Sequence, residues 1–320
     1  MIVALAGGVG GAKLADGLAC RLGRDLSIIV NTGDDFEHLG LHISPDLDTI
    51  MYTLAGIANP ATGWGVAEES WSFLQQIARL GGPDWFRLGD RDLATHILRT
   101  QRLRRGERLT SITRDFCHQL GIAARILPMS DQPVRTVVET TEGPLPFQEY
   151  FVARHCAVPV RGFLFEGSAQ AQMTAEIRER LRGADLEAII ICPSNPYISV
   201  DPILSVPGLR QLIEERPVPV VAVSPIIGDA AVKGPAAKMM RELGFDVSSK
   251  SIAAHYRGLV NALVIDLADA ALKPAIEAMG IQVRVAPTLM RSPEDRRALG
   301  DVCVEVARAL IEEKRLRSVP

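Results

Sequence analysis

MIVALAGGVGGAKLADGLACRLGRDLSIIVNTGDD, residues 1–35, decides the fold. Residues 2–6 are a short β-prone run, the glycines from Gly7 to Gly11 read as a loop, and residues 13–22 have the spacing of an amphipathic helix. Residues 26–31 form a second apolar run. Strand, glycine turn, helix and strand make a βαβ unit, whose parallel strands leave their carboxyl ends on one edge.

The same alternation returns late in the chain. Residues 188–192, 218–224 and 263–266 are apolar runs that end in Pro, Ser, Asn or Gly, and helical patterns over 173–181, 233–243 and 294–316 separate them. This order predicts an α/β protein whose mostly parallel sheet is covered by helices on both faces. Between 59 and 161 the pattern turns helical and then alternates over 135–141 and 145–151, as an antiparallel pair does. We therefore expect a nucleotide-binding core over 1–58 and 162–320, with 59–161 inserted as a cap or substrate subdomain.

Composition narrows the function. With 47% hydrophobic and 23% charged residues, the chain has the makings of a packed core rather than a disordered one. A net charge of -3, with both signs interspersed, excludes the basic footprint of a nucleic-acid or anionic-membrane binder. The five cysteines lie far apart without a C-x-x-C pair, which excludes a zinc knuckle or disulfide framework and suits a reduced cytoplasm. The start reads as a strand rather than a signal peptide, and no apolar stretch reaches the roughly 18 residues of a membrane span.

In an open parallel sheet, ligands bind at the strands' carboxyl ends where strand order reverses. Gly7-Gly8-Val9-Gly10-Gly11-Ala12-Lys13 lies at such an end, where glycines let backbone N–H groups approach a phosphate; a tight turn without ligand is the alternative. Ala12 before Lys13 breaks the P-loop pattern, and the glycine spacing does not complete G-x-G-x-x-G. Asp34 and Asp35 close the second strand, and Asp46 and Asp48 follow in Pro45-Asp46-Leu47-Asp48-Thr49. Four carboxylates on one edge suit Mg²⁺ bridging to phosphates; an Asp here also suits the cap of a helix beginning at Thr49.

Arg87, Asp90, Arg91 and Asp92 precede an apolar helix holding Thr95 and His96, with phosphate pairing and helix-capping salt bridges as equal readings. His96 reads as structural. Ser194 and Asn195 in Pro193-Ser194-Asn195-Pro196, and Ser224 and Gly228 in Ser224-Pro225-Ile226-Ile227-Gly228, offer ligand walls or stiff turns at strand ends. Neither a G-x-S-x-G elbow nor H-E-x-x-H is present, so hydrolase readings lose ground. A nicotinamide oxidoreductase would need a complete glycine fingerprint.

Taken in order, the glycine turn, Pro45–Thr49, Gly89-Asp90-Arg91-Asp92 with Thr95-His96, Pro128-Met129-Ser130-Asp131, Ser194-Asn195-Pro196 and Ser224–Gly228 resemble the 2-phospho-L-lactate transferase family of coenzyme F-420 biosynthesis. More distantly, the chain is similar to glycine-loop proteins that bind UDP-sugars as non-catalytic regulators. The family resemblance implies a Rossmann-like fold, a homodimer, and Mg²⁺-dependent transfer of a phospho-acid from a guanosine diphosphate-linked donor to the ribityl hydroxyl of the deazaflavin Fo, with release of GMP. It further implies that Asp48 and Arg87 contact Fo and that Asp48, Asp46 and Arg87 are catalytic. Gly7, Gly8, Gly10, Gly11, Lys13, Asp90, Arg91, Ser194, Asn195, Ser224 and Gly228 would bind the substrates, and Asp34, Asp35, Asp46 and Asp48 the metal. The acid itself, phospholactate, phosphoenolpyruvate or 3-phosphoglycerate, is left open.

Overall fold

A computed structural model describes residues 1–232 and 234–317. Its main sheet has seven parallel strands: β1 (Ile2–Ala6), β2 (Leu26–Val30), β3 (Arg125–Pro128), β4 (Ala188–Ile191), β5 (Val220–Val223), β6 (Ala262–Ile265) and β7 (Gln282–Val285). Their order across the sheet is β7-β6-β5-β4-β1-β2-β3. Strand order therefore reverses between β1 and β4, the doubly wound arrangement that opens a crevice at those two carboxyl ends.

The central strands read IVALA, LSIIV, AIII, VVAV and ALVI and are buried along their whole length. Burial on both faces explains why they are continuously apolar rather than alternating. Val3 and Leu5 enter the core on one face, and Ile2, Ala4 and Ala6 the core on the other. Helix α1 (Gly8–Leu22) covers the second face beside the C-terminal helix Pro293–Arg317. Leu14 and Leu18 of α1 are wholly buried there, each contributing about 1.5–3 kcal/mol.

Three expectations change in detail. The glycine stretch is not a loop beyond the cap: Gly7 is extended (φ -153°, ψ 155°), Gly8 opens α1 with φ +61°, and the first turn of the helix runs on through Gly11. Helix α2 (Pro45–Leu54) starts at Pro45 rather than Thr49, since proline's fixed φ and absent N–H suit a helix's first position. The predicted antiparallel pair gains a partner: Gly143–Pro146 and Val160–Glu166 flank Arg135–Thr140 in a three-stranded sheet. The segment between 59 and 161 also supplies β3, an edge strand of the main sheet. The helix expected from 233 is described as Ala236–Glu242; Lys233 lies outside the described residues.

Candidate functional site

At the carboxyl ends of β1 and β4 one hydroxyl ties the two following loops together. Ser194 accepts the Gly7 N–H at 3.1 Å and donates to the Gly7 carbonyl at 2.8 Å. A Cβ on Gly10 would collide with the Pro193 carbonyl, and one on Gly7 would sit 2.5 Å from Asp46 Oδ2. The glycines are thus required by close approach of three segments, and the Gly8 N–H of the α1 first turn donates to Asp46 at this junction.

Asp34, Asp35 and Asp46 gather on the same rim. Asn31, wholly buried at the end of β2, donates from Nδ2 to Asp46 Oδ2 at 2.9 Å and to the Ile198 carbonyl at 3.2 Å, while its Oδ1 accepts the Gly33 N–H at 2.7 Å. Asp35 accepts the Ser44 hydroxyl at 2.8 Å and lies 3.0 Å from His42 Nε2. Burial lifts Asp46 to about 6, against the hydrogen bonds from Asn31 and the Gly8 N–H. Burial and then the neighbouring charge of Asp46 hold Asp34 well above the usual carboxylate range. Thr32 Oγ1, Asp34 Oδ1 and Asp35 Oδ1 are buried without a hydrogen-bond partner.

Asp48 goes elsewhere. Two positions on in α2, it points some 200° around the helix from Asp46 and meets α4 (Asp90–Arg104), where Arg99 grips both of its oxygens. Burial opposes the charge on Arg99, but Asp48 outweighs it and raises the guanidinium's pKa. His96 Nδ1 lies 3.6 Å from Asp48, His96 Nε2 lies 3.2 Å from Asp92, and the Tyr52 hydroxyl donates to Asp92 at 2.7 Å. Asp48, Asp92 and His96 present ligand atoms within 4.8 Å of one another, with the Arg99 cation already against Asp48.

Arg87 lies over the Trp71 ring at 4.5 Å. It helps line a cleft of about 170 Å³ with Trp64, Glu69, Trp71 and Asp92. Asp90 accepts the Ser70 hydroxyl at 2.6 Å and the Phe73 N–H at 3.0 Å, so it secures the start of α3 (Ser72–Arg79), and these bonds lower its pKa. Arg91 donates to the Ala67 carbonyl at 3.0 Å, and Lys13 to the Met290 carbonyl at 2.7 Å. Asn195 caps the following turn by accepting the Tyr197 N–H at 3.0 Å. Near the rim, Phe36, His38, Trp85 and Phe86 form a four-ring cluster with centroids 4.8 to 6.0 Å apart.

The candidates read from the sequence include Asp92 but neither Asn31 nor Arg99. Asn31 was detectable as the polar residue ending a buried strand. Arg99, seven residues past Asp92 on the α4 face, looked like any surface arginine.

The sequence matches the family described as 2-phospho-L-lactate transferase CofD over residues 2–292. It is 41% identical over 313 residues to a phosphoenolpyruvate transferase of Streptomyces griseus, covering 96% of this chain and 98% of that one. To a 2-phospho-L-lactate transferase of Methanosarcina mazei it is 39% identical over 305 residues, covering 95% and 99%. A solved structure from Bacillus halodurans, a member of the UPF0052 family, shares the fold at TM-score 0.61 and 15% identity, covering 95% of this chain and 98% of that one. No helix among the described residues is long and apolar enough to cross a membrane.

Proposed function

The chain belongs to the 2-phospho-L-lactate transferase CofD family, and we propose that it moves a phospho-acid, linked to guanosine through a diphosphate, onto the ribityl hydroxyl of Fo. The hydroxyl oxygen attacks the phosphorus that carries the acid, a P–O bond of the diphosphate breaks, and GMP leaves with the bridging oxygen. The observation carrying this reading is the meeting of the α1 amino terminus with a buried acid pair, Asp34 and Asp46, that has no cationic partner among the described residues, at the strand-order reversal.

Such a transfer needs positioning and charge neutralisation more than a covalent nucleophile. The first turn of α1 and the Ser194 loop cradle the donor phosphates in this reading. All the donors at the rim are oxygens, and three of their atoms lack partners, so the residues fit a hard divalent cation such as Mg²⁺. Asp34, Asp35 and Asp46 would hold it, and bound Mg²⁺ would offset the charge of the diphosphate. Asp34 Oδ1, buried without a hydrogen-bond partner, would accept the hydroxyl proton. Asp48 serves through its pair with Arg99, and the tilted ring cluster around Trp85 offers aromatic surface for a deazaflavin near Arg87.

The relatives named for phosphoenolpyruvate and for phospholactate stand at 41% and 39% identity, too close to choose the acid. The deciding experiment mixes the purified protein with Fo, Mg²⁺ and each guanylylated three-carbon acid and identifies products by mass. A phosphodiester of Fo together with GMP is expected for at least one acid; no such product with any of them refutes the reading.

A further inference from the structure

The same sheet edge carries a second buried polar network, beside β5 instead of β1. Asp269, 4% exposed, accepts the Gly228 N–H on Oδ1 at 3.1 Å and the Ser249 hydroxyl on Oδ2 at 2.8 Å. The Ser249 and Ser224 oxygens are 2.9 Å apart, and Ser224 Oγ accepts the Ile226 N–H at 3.1 Å. Because the Ser249 proton goes to Asp269, Ser224 donates to Ser249 or to the Ile226 carbonyl, 3.1 Å away. The Ser224 hydroxyl is therefore satisfied inside the protein.

A buried carboxylate is costly unless hydrogen-bonded, and this one is committed to a small element. Residues Ile226–Ile227 pair with Ala230–Ala231 in a hairpin of two residue pairs, turning at Gly228 with φ +64°. A hairpin that short does not hold its place alone. Its root lies beside the Ser194 loop: Ala222 of β5 pairs in register with Ile191 of β4, the strand that leads to Ser194.

We propose that Asp269, acting through Ser249 and the Gly228 N–H, is a positioning residue for the donor nucleotide. It fixes the hairpin at residues 226–231 as a wall of the crevice, so that the loop meets the nucleotide with its backbone and not with the Ser224 hydroxyl. This rests on the guanine-nucleotide reading above and adds to it the residues that shape the donor wall.

The test is calorimetric titration of the full-length protein with GDP, alongside steady-state kinetics in donor and in Fo, for Asp269→Ala, Asp269→Asn and Ser249→Ala. Loss of a buried hydrogen-bonded anchor predicts that Asp269→Ala weakens GDP binding and raises donor KM by about tenfold or more, with Fo KM unchanged. Ser249→Ala should follow in the same direction, and Asp269→Asn, which keeps an acceptor for Gly228, should lose less. Unchanged GDP affinity in Asp269→Ala and Ser249→Ala, or equal losses toward GDP and Fo, overturns the proposal. Should Asp269→Ala fail to fold, Ser249→Ala and Asp269→Asn decide by the same criterion. A wild-type protein that binds no GDP removes the nucleotide reading and this proposal together. One that binds GDP yet transfers nothing removes only the transfer reading, and the titration still decides on Asp269.

Discussion

Asp46 and Asp48 share one helical turn and differ in what surrounds their charge. Asp48 is neutralised inside the protein by Arg99, with His96, Asp92 and Tyr52 completing an enclosed network. Asp46 has only an amide from Asn31 and the Gly8 N–H, and it faces the further acid Asp34. Among the described residues no guanidinium or ammonium is paired with Asp46, and in the proposed function a ligand balances its charge. Under the proposed function, the contrast separates an acidic group that maintains architecture from one that meets the ligand.

The largest effect expected from breaking this contrast is on stability at the paired acid. Arg99→Met leaves Asp48 buried and uncompensated, which should cost about 3–5 kcal/mol. Adding Asp48→Asn to Arg99→Met should recover part of that loss, because the stranded charge is removed along with its partner. Urea unfolding of wild type and the two variants measures it; a loss below about 1 kcal/mol in Arg99→Met would place the pair with weak surface bridges.

At the unpaired acid the loss should fall on turnover. Asp46→Asn keeps an acceptor for the Asn31 amide and removes only the charge, so the fold should persist while transfer drops by about 10²–10³, the cost of deleting one preorganised electrostatic group. Initial rates at saturating donor and Mg²⁺ read this out. A variant retaining wild-type turnover would move the chemistry away from the crevice and would erase the distinction between the two aspartates.

How far this arrangement was legible in the sequence follows from the physics of each part. The parallel sheet was readable because doubly covered strands must be apolar throughout, as IVALA and LSIIV are. A ligand turn was expected at Gly7 because glycines let backbone N–H groups approach an anion; the structure adds the close approach of Pro193 and Asp46 as a packing reason for them. The division of labour among the four carboxylates was not readable: it depends on Arg99, which lies 51 residues from Asp48 in sequence and carries no local pattern. Asp90 illustrates the opposite case, since a capping role and a substrate role call for the same residue at a helix start, and it is bonded to Ser70 and the α3 backbone. Asp269 and Ser249 left no motif, because a buried hydrogen bond between distant loops requires no spacing.

The smallest effect concerns pH, and it follows from burial of Asp46. In the unfolded chain this carboxyl titrates near its ordinary 3.8, and in the metal-free fold at about 6. Its folded value is raised, so its contribution to stability is complete below the unfolded value and is lost as pH climbs through about 6. The protonated acid is accepted by the buried rim, whereas the carboxylate meets desolvation first and then the charge of Asp35. In chelator-treated protein, wild type and Asp46→Asn should therefore unfold alike at pH near 4, with the variant ahead above pH about 6, by at most about 3 kcal/mol. Added Mg²⁺ should close that gap, since a cation that binds the ionised rim stabilises the folded state in proportion to its occupancy. Melting temperatures of both proteins from pH 4 to 8, with chelator and with Mg²⁺, test the sign as well as the size. A gap that widens toward acid would mean that Asp46 is ionised and already compensated within the fold, as Asp48 is.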